Sequence, residues 1–313
     1  MTLEFDLQPT IPIAPADFKS GFVALIGRPN VGKSTLMNQL IGQKIAITSP
    51  VAQTTRNRLR GIFTTEAAQI IFVDTPGIHK PHHELGKILV KNARSAVAAV
   101  DLVVFIVDGS VPLGRGDQFI ADFLVKTEAK VILGVNKIDQ RPEHKPEILA
   151  SYQELAQQNH WQLQEFSALA GDRLGDLQTK LINALDPGPY YYPPDLVTDQ
   201  PERFIMAELI REQILIHTRQ EIPHSVAIAI EQVNEGEEIT EVKAAINVER
   251  SSQKGIIIGK KGAMLKTVGT AARQQIQKLI AGKVYLELFV KVQPKWRQSR
   301  SHLAELGYRV EEG

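Results

Sequence analysis

The 313-residue sequence has no cysteine, only two tryptophans and few aromatic residues overall (6%). Without cysteine there can be no disulfide, no thiolate metal site and no cysteine nucleophile, a composition at home in a reducing cytoplasm. No apolar run approaches the ~18–20 residues that span a bilayer, and Met1 to Ser20 lacks the basic start and apolar core of a secretory signal. What the chain does have is ordinary globular composition, 43% hydrophobic and 23% charged, which argues against disorder. Its length exceeds what one core usually fills, so two domains are expected. The net charge of +1 conceals an asymmetry: Arg250 to Arg300 holds twelve Lys or Arg and the single acid Glu287. Acids crowd Glu231 to Glu249 instead. Such a basic segment is either a solvated face or the footprint of a localised anionic partner.

From Gly21 to about Leu185, short β-branched runs alternate with helical patterns, which predicts an α/β domain with a mostly parallel sheet and helices on both faces. Strands are expected at Phe22–Ile26, Ile70–Asp74, Leu102–Asp108, Val131–Asn136 and Leu163–Phe166, with Arg58–Thr64 antiparallel at an edge. Helices are expected at Lys33–Ile41, Gly86–Val100, Gln118–Lys126, Lys145–Asn159 and Gly175–Leu185. Pro187, Pro189, Pro193, Pro194 and Pro201 forbid helix and predict an extended linker over 187–201. That places one domain at 20–186 and a smaller α+β domain at 202–302, with an extension at 1–19 and a tail at 303–313. In the second domain the pattern reads as helix Glu202–Gln220, strands Val226–Gln232 and Val242–Val248, a Gly-rich turn, helix Ala263–Ala281 and strand Val284–Val292.

Gly27-Arg28-Pro29-Asn30-Val31-Gly32-Lys33-Ser34-Thr35 follows a strand and opens a helix, the context of a phosphate-binding P-loop. Its glycines let backbone N–H groups converge on phosphates at a positive helix end. Lys33 is expected to reach the β- and γ-phosphates, and the Ser34 hydroxyl to hold Mg²⁺. Asp74-Thr75-Pro76-Gly77 ends the next interior strand, where a carboxylate holds Mg²⁺ through water and the Gly77 N–H meets a γ-phosphate. Asn136-Lys137-Ile138-Asp139 separates guanine from adenine. The Asp139 carboxylate can accept from guanine N1–H and the 2-amino group together, and adenine lacks that donor pair. Asn136 is expected to brace neighbouring loops, and Lys137 to lay its stem along the base. Ser167-Ala168-Leu169 follows the last strand and is expected to present the Ala168 N–H to guanine O6.

This arrangement resembles the TRAFAC GTPases, and Gln53-Thr54-Thr55-Arg56 resembles switch I of their Era group. The resemblance implies a threonine that closes over Mg²⁺ and the γ-phosphate in the GTP state, Thr55 or its neighbour Thr54. Where Ras-type enzymes carry a water-positioning glutamine, this chain has Ile78, so slow intrinsic turnover is expected. Asn30 either caps its turn or, as in related GTPases, helps hold a K⁺ ion that neutralises developing charge. Lys33, Thr55, Gly77 and Asn30 are thus the candidate catalytic group. His79, His82 and His83 lack a matching carboxylate pattern and read as a polar loop.

In the second domain Gly255-Ile256-Ile257-Ile258-Gly259-Lys260-Lys261-Gly262 carries a GXXG core. Glycines admit a sugar–phosphate backbone, the lysines meet phosphates, and the isoleucines are expected to face bases. With the surrounding strands and helix this resembles a type II KH domain binding single-stranded RNA rather than DNA. Trp296, Arg297 and Arg300 either extend that surface by stacking and charge, or Trp296 packs under the domain edge. GTPase followed by KH resembles the Era family of ribosome-assembly GTPases over nearly the whole chain. The resemblance implies GTP hydrolysis, small-subunit ribosomal RNA and the 30S particle as partners, a cytoplasmic monomer, and peripheral membrane association. An RNA scaffold with structural nucleotide, a tRNA-modification GTPase and a P-loop ATPase are the rivals. The second normally relies on a C-terminal cysteine, and the third makes poor use of Asn136 and Asp139.

Overall fold

Runs such as Leu102–Asp108 are apolar at successive positions, not alternate ones, which suits strands covered on both faces. The computed structural model describes residues 11–49, 54, 59–75, 77, 95–140, 146–218, 222–280 and 282–298. In it β1 (Lys19–Ile26), β2 (Leu59–Thr64), β3 (Ala68–Asp74), β4 (Leu102–Asp108), β5 (Lys130–Asn136) and β6 (Gln162–Glu165) form one sheet in the order β2-β3-β1-β4-β5-β6. All pairings are parallel except β2 with β3, the expected antiparallel edge. Helices α1 (Lys33–Ile41), α2 (Arg115–Leu124), α3 (Glu147–Gln158) and α4 (Leu174–Ala184) belong to the same domain. Ala24, Ile26, Phe105 and Val107 bury one sheet face against Ile120 and Leu124 of α2 and Ile148, Tyr152 and Leu155 of α3. Alternation sends Val23 and Leu25 to the opposite face, and α1 packs against β2 and β3. Of the helix expected at Gly86–Val100, residues 95–98 are described and helical.

The Pro-rich segment is not a free linker. Gly188 N–H donates to Phe18 O, Tyr190 lies 4.2 Å from Phe18 ring to ring, and the Gln69 side chain bonds backbone of Tyr191 and Tyr192. Farther on, Ile62 N–H donates to Val197 O, Thr198 Oγ1 to Arg60 O, and Arg60 pairs with Asp199 at 2.8 Å. The strap thereby covers the edge strand β2, whose backbone would otherwise invite foreign pairing. Accordingly the first compact unit runs to Asp199 and takes in most of the 187–201 segment expected to link the two domains.

The second unit begins at Gln200 and takes in Lys44–Ser49 and Thr54 from the first third of the sequence. It contains α5 (Glu202–His217), β7 (Ala227–Glu235), β8 (Thr240–Val248), α6 (Ser251–Ile258), α7 (Ala263–Leu279) and β9 (Val284–Val292). Its sheet is ordered β7-β8-β9, antiparallel then parallel. Helix α6 corrects the sequence reading, which had a turn there. Its start is held by Gln253 Oε1, which accepts from Glu249 N and Arg250 N, and Ile257 is buried inside.

Candidate functional site

The P-loop, the Asp74 segment, the Asn136 segment and the Ser167 loop leave the carboxyl ends of β1, β3, β5 and β6, where open α/β sheets bind ligands. Three contacts knit these loops together. Asn136 Nδ2 donates to Val31 O at 2.7 Å, and its Oδ1 accepts from Ala168 N at 2.8 Å. Gly32 has φ 101°, and a Cβ there would fall 2.3 Å from Asn136 Nδ2, so a side chain is excluded both by conformation and by this brace. Gly77 sits against the P-loop, where an added Cβ would meet Pro29 N at 2.6 Å. Asn30 is exposed with φ 64°, a left-handed conformation that asparagine tolerates.

Lys33 is buried at the start of α1, and its Nζ donates to Gly27 O (3.3 Å) and Arg28 O (2.9 Å). Burial lowers its pKa to about 8, with Asp74 opposing the shift. The ammonium is therefore half lost near that pH, yet phosphate binding requires it. GDP affinity is expected to be level from about pH 7 to 7.5 and to fall up to about tenfold per unit above pH 8. Titration calorimetry in buffers of different ionisation enthalpy should show proton uptake on binding in that range; a level profile to about pH 9 would mean that Lys33 stays charged.

Ser34 Oγ donates to Asp74 Oδ2 at 2.7 Å, and Asp74 is fully buried at the end of β3. A hydroxyl and a carboxylate side by side are the hard oxygen donors that Mg²⁺ takes while keeping several waters, so this pair fits the ion. Thr75 spends its hydroxyl on Leu25 O. Among the described residues no cluster of His, Asp and Glu forms a separate metal site.

On the base side, Asp139 is exposed in the turn Ile138–Gln140. Lys137, at φ 65°, pairs with Asp108 at 2.6 Å. Burial works against ionisation of Asp108, but hydrogen bonds from Lys137 and Ser110 overcome it and hold its pKa below the usual carboxylate value. This partner, missed in the sequence, anchors the lysine end and leaves its stem available beside a base. Ser167 is buried and its Oγ accepts from Ala170 N, whereas Leu169 is exposed.

Several expectations change. The Ala168 amide is not open toward guanine O6: it is buried and already donated to Asn136, so that contact requires sharing it. The Arg28 guanidinium is taken up by the buried Asp117 of α2 at 2.7 Å. Asp117 was unread because 89 residues separate the pair. Gln53, Thr55, Arg56, Pro76, Ile78, His79, His82, His83 and Arg300 lie outside the described residues.

In the second unit Gly259 has φ 72° and Gly262 φ 79°, with Lys261 between them at φ 52°. A Cβ on Gly259 would lie 2.7 Å from Met264 Cβ, so this turn closes directly onto the first turn of α7. Lys260 and Lys261 project into solvent, Gly255 and Ile256 are exposed, Ile258 is half-buried, and Ile257 is core. The isoleucine run is thus split by helix geometry, not offered whole to bases. Trp296 is 2% exposed and donates its Nε1–H to Ser225 O at 3.1 Å, which rules out base stacking in this conformation. Arg297 pairs with Glu249.

Comparison with known proteins agrees with both halves. Residues 22–137 match the family described as 50S ribosome-binding GTPase, and residues 221–297 match the KH domain family. GTPase Era of Synechocystis sp. is 70% identical over 304 residues, 97% of this chain and 96% of the relative. GTPase Era of Nostoc sp. is 69% identical over 303 residues, 97% and 94% of the two chains. Among solved structures, Era in complex with MgGDPNP and nucleotides 1506–1542 of 16S ribosomal RNA superposes with a TM-score of 0.87 at 37% identity, covering 93% of this chain and 99% of that one. A point variant of Aquifex aeolicus Era bound to GDP and tetrafluoroaluminate gives 0.88 at 38% identity, with the same 93% and 99% coverage. With its guanine-nucleotide loops, its GXXG turn and relatives of this identity over nearly its full length, the chain belongs to the Era family of GTPases.

Proposed function

We propose that this GTPase couples its nucleotide cycle to gripping and releasing the 3′ region of small-subunit ribosomal RNA during assembly of the 30S particle. The observation that carries the reading is the Gly259–Gly262 turn with its two exposed lysines at the start of α7, in a chain that also carries the P-loop and the Asn136–Asp139 motif at strand ends. A relative of like architecture has been solved with MgGDPNP and a 16S ribosomal RNA fragment together.

In the nucleotide half, Lys33 meets the β- and γ-phosphates, Gly77 N–H the γ-phosphate, and Asp139 the guanine edge. Ser34, Asp74 and Thr55 hold Mg²⁺, which when bound offsets charge developing on the phosphoryl oxygens. Thr55 is favoured over Thr54 because the Thr54 hydroxyl lies 2.8 Å from Ser49 Oγ and its carbonyl accepts from Arg211. Ile78 cannot align water by hydrogen bonding, so turnover is slow without an activator. Asn30 supports K⁺ as that activator: hydrolysis is expected to run about tenfold faster in potassium than in sodium chloride of equal concentration. Equal rates would remove Asn30 from the catalytic group.

In the RNA half, Lys260 and Lys261 take phosphates, while Gly255 and the exposed Ile256 flank the strand. That the protein acts as a cytoplasmic monomer follows from the family resemblance. Among its described residues no helix is long and apolar enough to cross a membrane. Peripheral membrane association has the family resemblance alone behind it and enters no step. Ultraviolet crosslinking from cells, with GDP and with a nonhydrolysable GTP analogue, should recover small-subunit ribosomal RNA. Recovery of other RNA, or none, would remove the ribosomal half and leave the GTPase intact.

A further inference from the structure

Arg211 and Glu212, successive residues on α5, are charged side chains with no part in phosphate or base chemistry, and each is only 1% exposed. Arg211 is aimed by Glu208, whose Oε1 accepts from Nε at 2.8 Å and Oε2 from Nη2 at 2.6 Å, and that same Nη2 donates to the carbonyl of Thr54. Glu212 accepts from Lys44 Nζ at 2.5 Å, from the backbone N–H of Thr48 at 2.8 Å, from Thr48 Oγ1 at 3.4 Å and from Gln213 Nε2 at 3.3 Å.

These contacts have a shape. Thr48 is held by its amide and Thr54 by its carbonyl, and between them Ser49 Oγ lies 2.8 Å from Thr54 Oγ1. Thr48 and Thr54 are thus both tied to one turn of α5, through backbone groups that do not depend on their own side chains. Thr54 belongs to the Gln53–Arg56 motif read above as switch I. Helix α5 is also a core element of the RNA-binding half: Ile205, Leu209, Ile210 and Ile214 are buried, and it packs on β7 and α7, the helix that follows the GXXG turn. Apolar packing yields gradually, but a buried ion pair is made or broken, since one partner left alone is an uncompensated charge. Such contacts suit an element with two arrangements.

We propose that Arg211 and Glu212 are positioning residues that clamp the switch I segment onto α5 and thereby transmit nucleotide state to the RNA-binding half. The proposal rests on the RNA reading above for the identity of the coupled ligand. It predicts that the contact sets the coupling between two ligands without touching either.

The test uses the full chain and a charge-neutral pair, Lys44→Met with Glu212→Gln, which removes both charges together and so avoids stranding one in the interior. The probes are GDP, a nonhydrolysable GTP analogue, and a synthetic RNA with the sequence of nucleotides 1506–1542 of 16S ribosomal RNA. In the unaltered protein the analogue should change RNA affinity relative to GDP by a factor of at least about 5, within the usual range of coupling, and RNA should change the analogue-to-GDP affinity ratio by the same factor. In the double variant both factors should fall to within about twofold of one, with both ligands still bound. A variant that keeps the unaltered factor overturns the clamp, as does an unaltered protein that binds RNA equally in both states. Should the double variant fail to fold, Lys44→Met alone, at the half-exposed end of the pair, is required to cut the factor at least twofold. If the unaltered protein binds no such RNA, the RNA reading falls. The clamp is then judged on nucleotide alone: a change of at least about fivefold in the analogue-to-GDP ratio of the variant supports it, and an unchanged ratio overturns it.

Discussion

Asp139→Asn is expected to weaken GDP and GTP binding by roughly 10³–10⁴-fold while creating affinity for xanthosine diphosphate. Guanine offers N1–H and the 2-amino group, and only a carboxylate accepts from both. Asparagine faces the 2-amino group with its own N–H₂, so two donors meet and one is left unsatisfied in a closed site, the kind of mismatch that costs orders of magnitude. Xanthine carries a carbonyl at that carbon and accepts from the new amide. The substitution should leave the turn itself intact, because its neighbours hold it: Asn136 bridges Val31 and Ala168, and Lys137 is anchored on Asp108. The Asp139 side chain is exposed in its turn, so folding does not depend on it. Competition by guanine and xanthine nucleotides against a fluorescent GDP derivative measures both effects. Retention of GDP affinity within about tenfold would mean that guanine is recognised elsewhere, and the ATPase alternative would regain ground.

How far the sequence could lead depended on whether an interaction is local. The inner strands β1, β3, β4 and β5 were legible because burial on both faces makes them largely continuous apolar runs, and α1 because the P-loop opens it. Helix α6 was not: Gly255 and three consecutive isoleucines have low helix propensity, and only the Gln253 side chain closing back on Glu249 and Arg250 shows that a helix begins there. The Pro-rich strap was read as a linker because proline forbids helix, yet its tyrosines were the signal that it packs. Trp296 was left between two readings that only tertiary structure could separate. The pairs Arg28–Asp117 and Lys44–Glu212 join residues 89 and 168 positions apart, and no pattern along the chain announces them. All the guanine-site motifs, in contrast, stand at strand ends and carry their spacing with them.

The double substitution Lys260→Asp with Lys261→Asp is expected to weaken binding of single-stranded RNA by at least about 100-fold near 0.1 M salt, leaving nucleotide binding and RNA-independent hydrolysis as they were. The lysines are suited to this test because they are exposed and the turn does not need them. Position 261 has φ 52°, a left-handed conformation that aspartate tolerates better than most residues, and position 260 lies just before α7, where a helix N-terminus favours an acid. Gly259 is the opposite case. Its φ of 72° and the 2.7 Å approach of an added Cβ to Met264 mean that substituting it would deform the turn, and lost binding would then say nothing about charge. Reversing both lysines replaces phosphate attraction by repulsion at the point where the backbone must come closest. If both normally contact phosphates, the slope of log affinity against log salt should also shrink by about 1.4, two contacts at ~0.7 each for single strands. Polarisation titrations over a salt series read both quantities. A variant that binds RNA like the unaltered protein would move the interface away from the GXXG turn, to another part of the basic 250–300 segment.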